Sequence, residues 1–186
     1  AQWWQSYKKL TEISMLTISA DTAFKKTETA DYSVMIVAGL STNGDIYILD
    51  VVRDRYDFPE LKRMAVGLNA RWRGQGLRGF YIEDKALGQS LIQELRTESG
   101  ISVIPVKVSS DKVSRVNAVT PLIEGGRVFI PEKAQWLDDF MNEMQTFPNG
   151  KHDDIVDALS MALEALAKMG GQATQMINFP INMSNS

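Results

Sequence analysis

Short apolar runs rich in β-branched residues recur along this chain and predict six strands. The segment Ser41-Thr42-Asn43-Gly44, between the second and third runs, carries an Asn-Gly pair that favours a tight turn. We therefore expect these two strands to form a hairpin. The predicted strands cover residues 13–21, 32–40, 45–52, 77–82, 101–106 and 127–130.

Between and after these runs, apolar residues recur at the spacing of three to four residues that is typical of amphipathic helices. Pro59 opens the first such segment, at a position where a helix tolerates proline because its first N–H groups need no partner within the helix. The last segment combines an apolar stripe with an acidic start. The predicted helices cover residues 59–74, 86–97, 113–123, 133–145 and 153–168.

The resulting order, β-β-β-α-β-α-β-α-β-α-α, predicts an α/β fold. Strands joined by short turns pair antiparallel, whereas strands that alternate with helices favour parallel pairing. We therefore expect a mixed sheet of five or more strands, antiparallel at a hairpin edge and parallel beyond it, flanked by helices. Residues 13–168 form the predicted domain, and residues 169–186, which lose periodicity, are predicted to be a flexible tail.

Composition narrows the chemistry that this domain can perform. A length of 186 residues with 44% hydrophobic content is sufficient for one well-packed core. The net charge of -3 gives no overall basic field, so a polyanion would have to be bound by local patches. The absence of cysteine excludes a disulfide framework, a thiolate zinc site and a cysteine nucleophile. No segment has the ~20 apolar residues of a membrane span.

Acidic residues end two of the predicted strands. Asp21 closes the first strand, and Glu83 with Asp84 closes the fourth. In sheets with parallel strands, functional groups gather at the carboxyl ends of the strands, where loops open a crevice. If these two strands are parallel neighbours, their carboxylates converge at one end of the sheet.

The last predicted helix adds three more acids, Asp153, Asp154 and Asp157, directly after His152. At about 100° per residue, Asp153 and Asp157 lie about 40° apart around the helix, and Asp154 and Asp157 about 60° apart. One interpretation is local, because an N-cap and first-turn acids are favoured by the helix dipole. The other is a hard-cation site, in which carboxylates from several elements converge on Mg²⁺ or Mn²⁺. Two such ions can activate a water for phosphodiester cleavage.

The motifs of this chain, taken in order, resemble the C-terminal nuclease domain of tailed-bacteriophage large terminase subunits. The resemblance covers roughly residues 15–165 and rests on six motifs in the family's order. These are Ser19-Ala20-Asp21-Thr22-Ala23-Phe24, Thr29-Ala30-Asp31-Tyr32-Ser33, Tyr47-Ile48-Leu49-Asp50-Val51-Val52-Arg53, Ile82-Glu83-Asp84-Lys85-Ala86-Leu87-Gly88, Asp111-Lys112-Val113-Ser114-Arg115 and Phe147-Pro148-Asn149-Gly150-Lys151-His152-Asp153-Asp154-Ile155-Val156-Asp157-Ala158-Leu159.

This resemblance implies a ribonuclease H-like fold and a metal-dependent endonuclease that cuts concatemeric double-stranded viral DNA during genome packaging. The implied catalytic and metal-binding residues are Asp21, Glu83, Asp84, Asp154 and Asp157, holding two Mg²⁺ or Mn²⁺ ions. Within the motif Ile82–Gly88 we favour Glu83, the last residue of its strand, with Asp84 close behind. Within the motif Phe147–Leu159 we favour Asp154 and Asp157, with Asp153 as a cap or outer group and His152 as an orienting or proton-transfer group.

The resemblance also implies partners. Lys85, Lys107, Lys112 and Arg115 are candidates for phosphate contacts along a DNA groove. The family's packaging ATPase domain requires a phosphate-binding loop that this sequence lacks, so we expect residues 1–12 to be the remnant of an interdomain linker. A portal and a small terminase subunit are further expected partners, and the host cytoplasm is the expected location.

Two other functions remain open at this stage. A ribonuclease H-like domain of this kind could be a non-catalytic module that grips DNA or docks on the portal, with its acids serving only structure. The same fold could also serve a junction resolvase or a transposase-like nuclease. Metal titration distinguishes the first alternative from an endonuclease, and a comparison of branched with linear substrates distinguishes the second.

Overall fold

A computed structural model describes residues 3–23 and 31–177 of the chain. Motif residues Phe24, Thr29 and Ala30 lie outside this described part, as do residues 178–186. Within it, the structure has seven strands and five α-helices, with a short 3₁₀ turn at Arg73–Gln75. The strands are β1 Gln5–Tyr7, β2 Ile13–Asp21, β3 Ser33–Ser41, β4 Ile46–Asp54, β5 Leu77–Glu83, β6 Val103–Val106 and β7 Val128–Pro131, and the helices are α1 Phe58–Trp72, α2 Ala86–Glu98, α3 Lys112–Glu124, α4 Leu137–Thr146 and α5 Asp154–Ile177.

All seven strands join one mixed sheet in the order β1-β7-β4-β3-β2-β5-β6. The α/β class and the mixed sheet are as predicted, but the antiparallel strands lie in the middle of the sheet and not at an edge. β2, β3 and β4 pair antiparallel, β5 and β6 extend the sheet in parallel on one side, and β7 and β1 do so on the other. This three-stranded antiparallel unit is central because β2 pairs in parallel with β5 along its other edge, and β4 does so with β7.

The parallel pairing of β2 with β5 places the two acid-bearing strand ends side by side. Leu16 pairs with Leu77 and Thr17 with Gly79, so β5 contains one extra residue, Arg78, at this point. From there the register is regular as far as Ala20 opposite Ile82. The last residues of the two strands, Asp21 and Glu83, therefore end next to each other.

Each face of the sheet is covered by helices and has its own apolar core. Ile18 and Ala20 of β2 belong to the core under α1 and α2, with Phe80 and Ile82 of β5. The opposite face packs against α3, α4 and α5, with Phe140 at the centre of the second core. Since side chains alternate along a strand, Asp21 and Glu83 must both face the α5 layer.

A hydrogen bond ties α5 to β2 close to the acidic strand end. The Ser19 hydroxyl, on the same face as Asp21, donates to the Ala158 carbonyl of α5 over 2.7 Å. Both residues are buried. The start of α5 is thereby fixed over the strand that carries Asp21.

The largest differences from the predicted boundaries concern β1, α4 and α5. Residues 5–7, assigned to a linker remnant, form edge strand β1, where the Tyr7 hydroxyl donates to the Ile48 carbonyl over 2.8 Å. α4 begins at Leu137 because a turn, closed from the Leu137 N–H to the Ala134 carbonyl, precedes it. α5 continues to Ile177, past the predicted end at residue 168, so the start of the predicted flexible tail is helical.

None of the helices in the described part of the chain is long and apolar enough to cross a membrane.

Candidate functional site

Two carboxylates from neighbouring strands meet at the carboxyl end of the sheet. Asp21 ends β2 and is only 4% exposed, and Glu83 ends β5 and is partly buried. The Lys85 ammonium lies between them, with its Nζ atom 2.5 Å from Asp21 Oδ1 and 2.8 Å from Glu83 Oε2. One cation of the chain is therefore shared by two acids from two strands.

Asp84, the other acid predicted at this strand end, does not join them. It follows β5, and strand alternation turns it away from the face that holds Glu83. Its backbone N–H donates to the Val106 carbonyl over 2.8 Å. Among the described residues its carboxylate forms no ion pair. The geometry brings Glu83, and not Asp84, to Asp21.

Gly88 in the first turns of α2 explains how the Glu83 backbone is held. A Cβ atom at this position would lie 2.0 Å from the Glu83 carbonyl oxygen, well inside van der Waals contact. Only glycine therefore allows α2 to pack this closely against the end of β5. Gly88 is therefore a packing position.

The N-terminus of α5 brings further acids to the same end of the sheet. Asp154 and Asp157 are both buried. Asp157 pairs with two cations of α3, at 2.7 Å from Lys112 Nζ and 2.9 Å from Arg115 Nη2. Asp153 is half-buried and pairs with the same ammonium at 2.6 Å. Like Lys85, Lys112 is shared by two carboxylates.

Glu143 of α4 positions this helix start, and sequence reasoning missed it. Its side chain is 3% exposed, and its Oε1 atom accepts a hydrogen bond from the Val156 N–H over 3.0 Å. It thus supplies the acceptor that an N-cap side chain commonly provides. The available signal was its position three residues after Phe140, on the apolar stripe of α4, where a charged residue requires a buried partner.

Asp154 occupies a different environment from Asp157. Its Oδ2 atom is buried and has no hydrogen-bond partner among the described residues, and His152 Nδ1 lies 3.9 Å away. The His152 ring packs edge-on against Tyr32, with ring centroids 5.1 Å apart. The Arg53 guanidinium covers the Tyr32 ring at 3.6 Å. His152 therefore lies beside Asp154 without a hydrogen bond to its buried Oδ2 atom.

Asp21 and Glu83 share one ammonium, but their pKa values shift in opposite directions because Asp21 is the more deeply buried. Burial raises the pKa of Asp21 from its ordinary value of 3.8 to about 7, against the lowering effect of Lys85. Burial acts on Glu83 as well, but Lys85, Asp21 and Arg115 together lower its pKa. Burial disfavours the charged form of Lys85, yet the two carboxylates raise its pKa above the ordinary value. Of these two acids, Asp21 holds a proton more readily.

Burial also raises the pKa of each acid at the start of α5. For Asp157 this effect is opposed by Lys112 and Arg115, and for Asp154 it is reinforced by Asp31. For Glu143 it is opposed by the Val156 and Ile155 amides. These buried carboxylates would be more stable with cationic partners than without them.

The donor set suits a hard divalent cation. Asp21, Glu83, Asp154 and Asp157 offer only carboxylate oxygens, the ligands preferred by Mg²⁺ and Mn²⁺. Two observations indicate that a cation would be accepted: an ammonium already lies between Asp21 and Glu83, and Asp154 Oδ2 is buried without a partner. Within the described residues no three acids are spaced as a ready-made metal site.

The predicted phosphate-binding residues divide into two groups. Lys85, Lys112 and Arg115 all pair with acids of the site. Lys107 is exposed beyond β6, where it lines a groove of about 510 Å³ with Tyr81 and Met161. The structure therefore brings three of the four to the acids and leaves Lys107 beside them.

The sheet order, the helices on both faces and the acids at the strand ends define a ribonuclease H-like α/β protein. The terminase RNase H-like domain family matches residues 18–166, so the chain belongs to this family, which confirms the resemblance inferred from the motifs. A comparison with curated protein sequences gave no match.

Solved structures share the fold at low sequence identity. The large terminase nuclease from thermophilic phage G20c with bound magnesium is 21% identical, with a TM-score of 0.64 over 87% of this chain and 91% of that chain. The human cytomegalovirus terminase nuclease domain, soaked with Mn and bound to an inhibitor, is 13% identical, with a TM-score of 0.65 over 90% and 92%. The yeast mitochondrial Holliday junction resolvase is 13% identical, with a TM-score of 0.56 over 91% and 83%.

Proposed function

We propose that this chain is the metal-dependent endonuclease domain of a viral genome-packaging terminase and cuts concatemeric double-stranded DNA. The observation that carries the proposal is the convergence of buried carboxylates from β2, β5 and α5 at one end of the sheet. Family membership supports the terminase context. The similar phage nuclease has been solved with magnesium, zinc and cobalt, which supports a divalent cation as the cofactor.

Asp21, Glu83, Asp154 and Asp157 are the proposed ligands of two Mg²⁺ or Mn²⁺ ions. Such ions lower the pKa of a bound water and neutralise charge on the scissile phosphate. The chain's own residues hold the site in place for this chemistry. Asp21 is anchored at the end of a central strand, and Asp157 is held by Arg115.

Asp84 has a lesser role in this proposal, since it lies apart from Asp21. Asp153 and His152 lie around the ligands: Asp153 pairs with Lys112, and the His152 ring lies 3.9 Å from Asp154. Lys112 and Arg115 position Asp157 first and can contact phosphate when the acids have other cationic partners. Lys107, exposed beside the site, is a candidate for backbone contacts with DNA.

In the infected host cytoplasm the domain would act with a packaging ATPase domain, a portal and a small terminase subunit. Sequence-independent binding of DNA would come from phosphate contacts, because the net charge of -3 supplies no general attraction.

The decisive experiment measures cleavage of supercoiled plasmid with Mn²⁺ or Mg²⁺ and with EDTA. The native chain should nick and linearise the plasmid only with metal, and Asp21→Asn should lose at least about a hundredfold of this activity, since removing one charged ligand is expected to cost several kcal/mol. The matched control is Asp138→Asn, which alters an exposed aspartate in the first turn of α4 and should cut normally. Equal cleavage by Asp21→Asn would refute the assignment.

The same samples distinguish the other functions. A non-catalytic module would bind DNA without metal, cut nothing, and show no change in Tm on addition of Mn²⁺. A junction resolvase would cut a four-way junction in preference to a linear duplex of the same arm sequence.

A further inference from the structure

The chain places its own cation where a metal-binding function would require a metal. Lys85 Nζ contacts one carboxylate oxygen of Asp21 and one of Glu83, at 2.5 and 2.8 Å. Ammonium groups satisfy carboxylates through short charge-assisted hydrogen bonds, so this arrangement is stable without any metal. Lys85 therefore offsets part of the negative charge of these two acids while it remains in place.

The ammonium and a divalent cation cannot occupy this position together. A Mg²⁺ or Mn²⁺ ion bound to the same carboxylates would lie about 2.0–2.2 Å from their oxygens. Two cations so close to the same pair of oxygens repel each other strongly, particularly beside Asp21, which is almost fully buried. Binding of one must displace the other.

Lys85 is the most exposed of the three cations that pair with acids of the site. Its side chain is 44% exposed, whereas that of Arg115 is 14% exposed. It lies at the N-cap of α2 with an extended backbone, and its side chain makes no capping hydrogen bond. Its side chain can therefore swing towards solvent without disturbing α2.

We propose that Lys85 is a tethered competitor of the metal, which holds Asp21 and Glu83 together in the metal-free protein and must leave when a divalent cation binds. This inference rests on the proposed function, because it concerns the same carboxylates. It assigns Lys85 a role in setting metal affinity, in addition to the phosphate contacts expected from its charge. The two carboxylates thereby keep a cationic partner in the metal-free protein until enough divalent cation is present.

The test measures Mn²⁺ affinity directly by isothermal titration calorimetry, without DNA. Lys85→Met removes the charge and keeps the aliphatic stem, so this variant should bind Mn²⁺ about tenfold more tightly than the native chain, because no ammonium has to be displaced. Lys85→Arg retains a cation and should bind no more tightly than the native chain. The Mn²⁺-induced rise in Tm provides a second readout and should be larger for Lys85→Met.

Lys62 offers a matched control, since its ammonium also bridges two carboxylates, Glu94 and Glu98, but between α1 and α2. Lys62→Met should leave the high-affinity Mn²⁺ binding unchanged. Equal or weaker Mn²⁺ binding by Lys85→Met would overturn the inference while leaving the proposed function intact. If neither the native chain nor Lys85→Met bound Mn²⁺, the proposed function would fail, and the inference with it.

Discussion

Asp21→Asn should change the stability of the protein in a way that depends on pH. Burial raises the pKa of the Asp21 carboxyl from 3.8 to about 7 in the folded protein. The folded state therefore holds this proton more tightly than the unfolded chain does. Between about pH 4 and pH 7 the unfolded chain has lost the proton and the folded protein retains it, so Asp21 makes the free energy of unfolding fall as pH rises.

The magnitude follows from the size of the pKa change. Each pKa unit corresponds to about 1.4 kcal/mol, so the rise to about 7 represents at most about 4 kcal/mol once the pH exceeds 7. Asparagine resembles the protonated acid and carries no such penalty. Asp21→Asn should therefore be more stable than the native chain at pH 8, and between pH 5 and pH 8 its advantage should grow by about 2–3 kcal/mol.

Urea unfolding in EDTA, at pH 5 and pH 8, measures this difference without interference from metal. Titrations common to both proteins cancel in the comparison, so the change in the difference reports on Asp21 and its immediate partners. Asp138→Asn serves again as the control. Its difference in stability from the native chain should be the same at pH 5 and pH 8. An advantage that stayed constant or shrank between pH 5 and pH 8 would refute the reasoning that burial dominates at Asp21.

Three further outcomes can be measured. Since Mn²⁺ requires the ionised carboxylate of Asp21, its affinity should fall by about tenfold per pH unit below about pH 7, and calorimetry that found no change between pH 6 and pH 7 would contradict this. Gly88→Ala should lose about 1–3 kcal/mol of stability in thermal unfolding and bind Mn²⁺ more weakly, because the added Cβ would collide with the last carbonyl of β5. The control is Gly67→Ala in α1, whose added Cβ would meet no atom within 4 Å and which should be neutral or stabilising. Glu143→Ala should cost about 1–3 kcal/mol in urea unfolding by leaving the buried Val156 N–H without its acceptor, and Glu143→Gln, which keeps an acceptor, should cost less.

Local patterns were sufficient to predict most elements of the fold. The apolar run ending at Asp21 is a strand with the predicted bounds, and the Asn43-Gly44 turn joins β3 to β4 as expected. Their order in the sheet was harder to predict, because it depends on which free edge each later strand pairs with. The edge strand Gln5–Tyr7 escaped notice because three residues are too few to show a period.

The acids of the site were easier to find than the groups that hold them. Asp21 and Glu83 stand at strand ends, and strand ends are visible in a sequence. Lys85 appeared to be a phosphate contact because nothing local shows that its ammonium reaches back to a strand end 64 residues earlier in the chain. Glu143 was read as part of an amphipathic helix, since only the packed structure shows its carboxylate meeting the start of α5.

The extra residue Arg78 sets the register in which β5 pairs with β2. A strand shows alternate residues to each face, so a shift of one residue exchanges every side chain that a face presents. If the pairing from Leu16 and Leu77 continued regularly, with Arg78 opposite Thr17, Ile82 and not Glu83 would lie beside Asp21. The bulge at the amino end of β5 thus determines that an acid, and not an aliphatic side chain, lies beside Asp21 at the carboxyl end, although Arg78 itself is no part of the site.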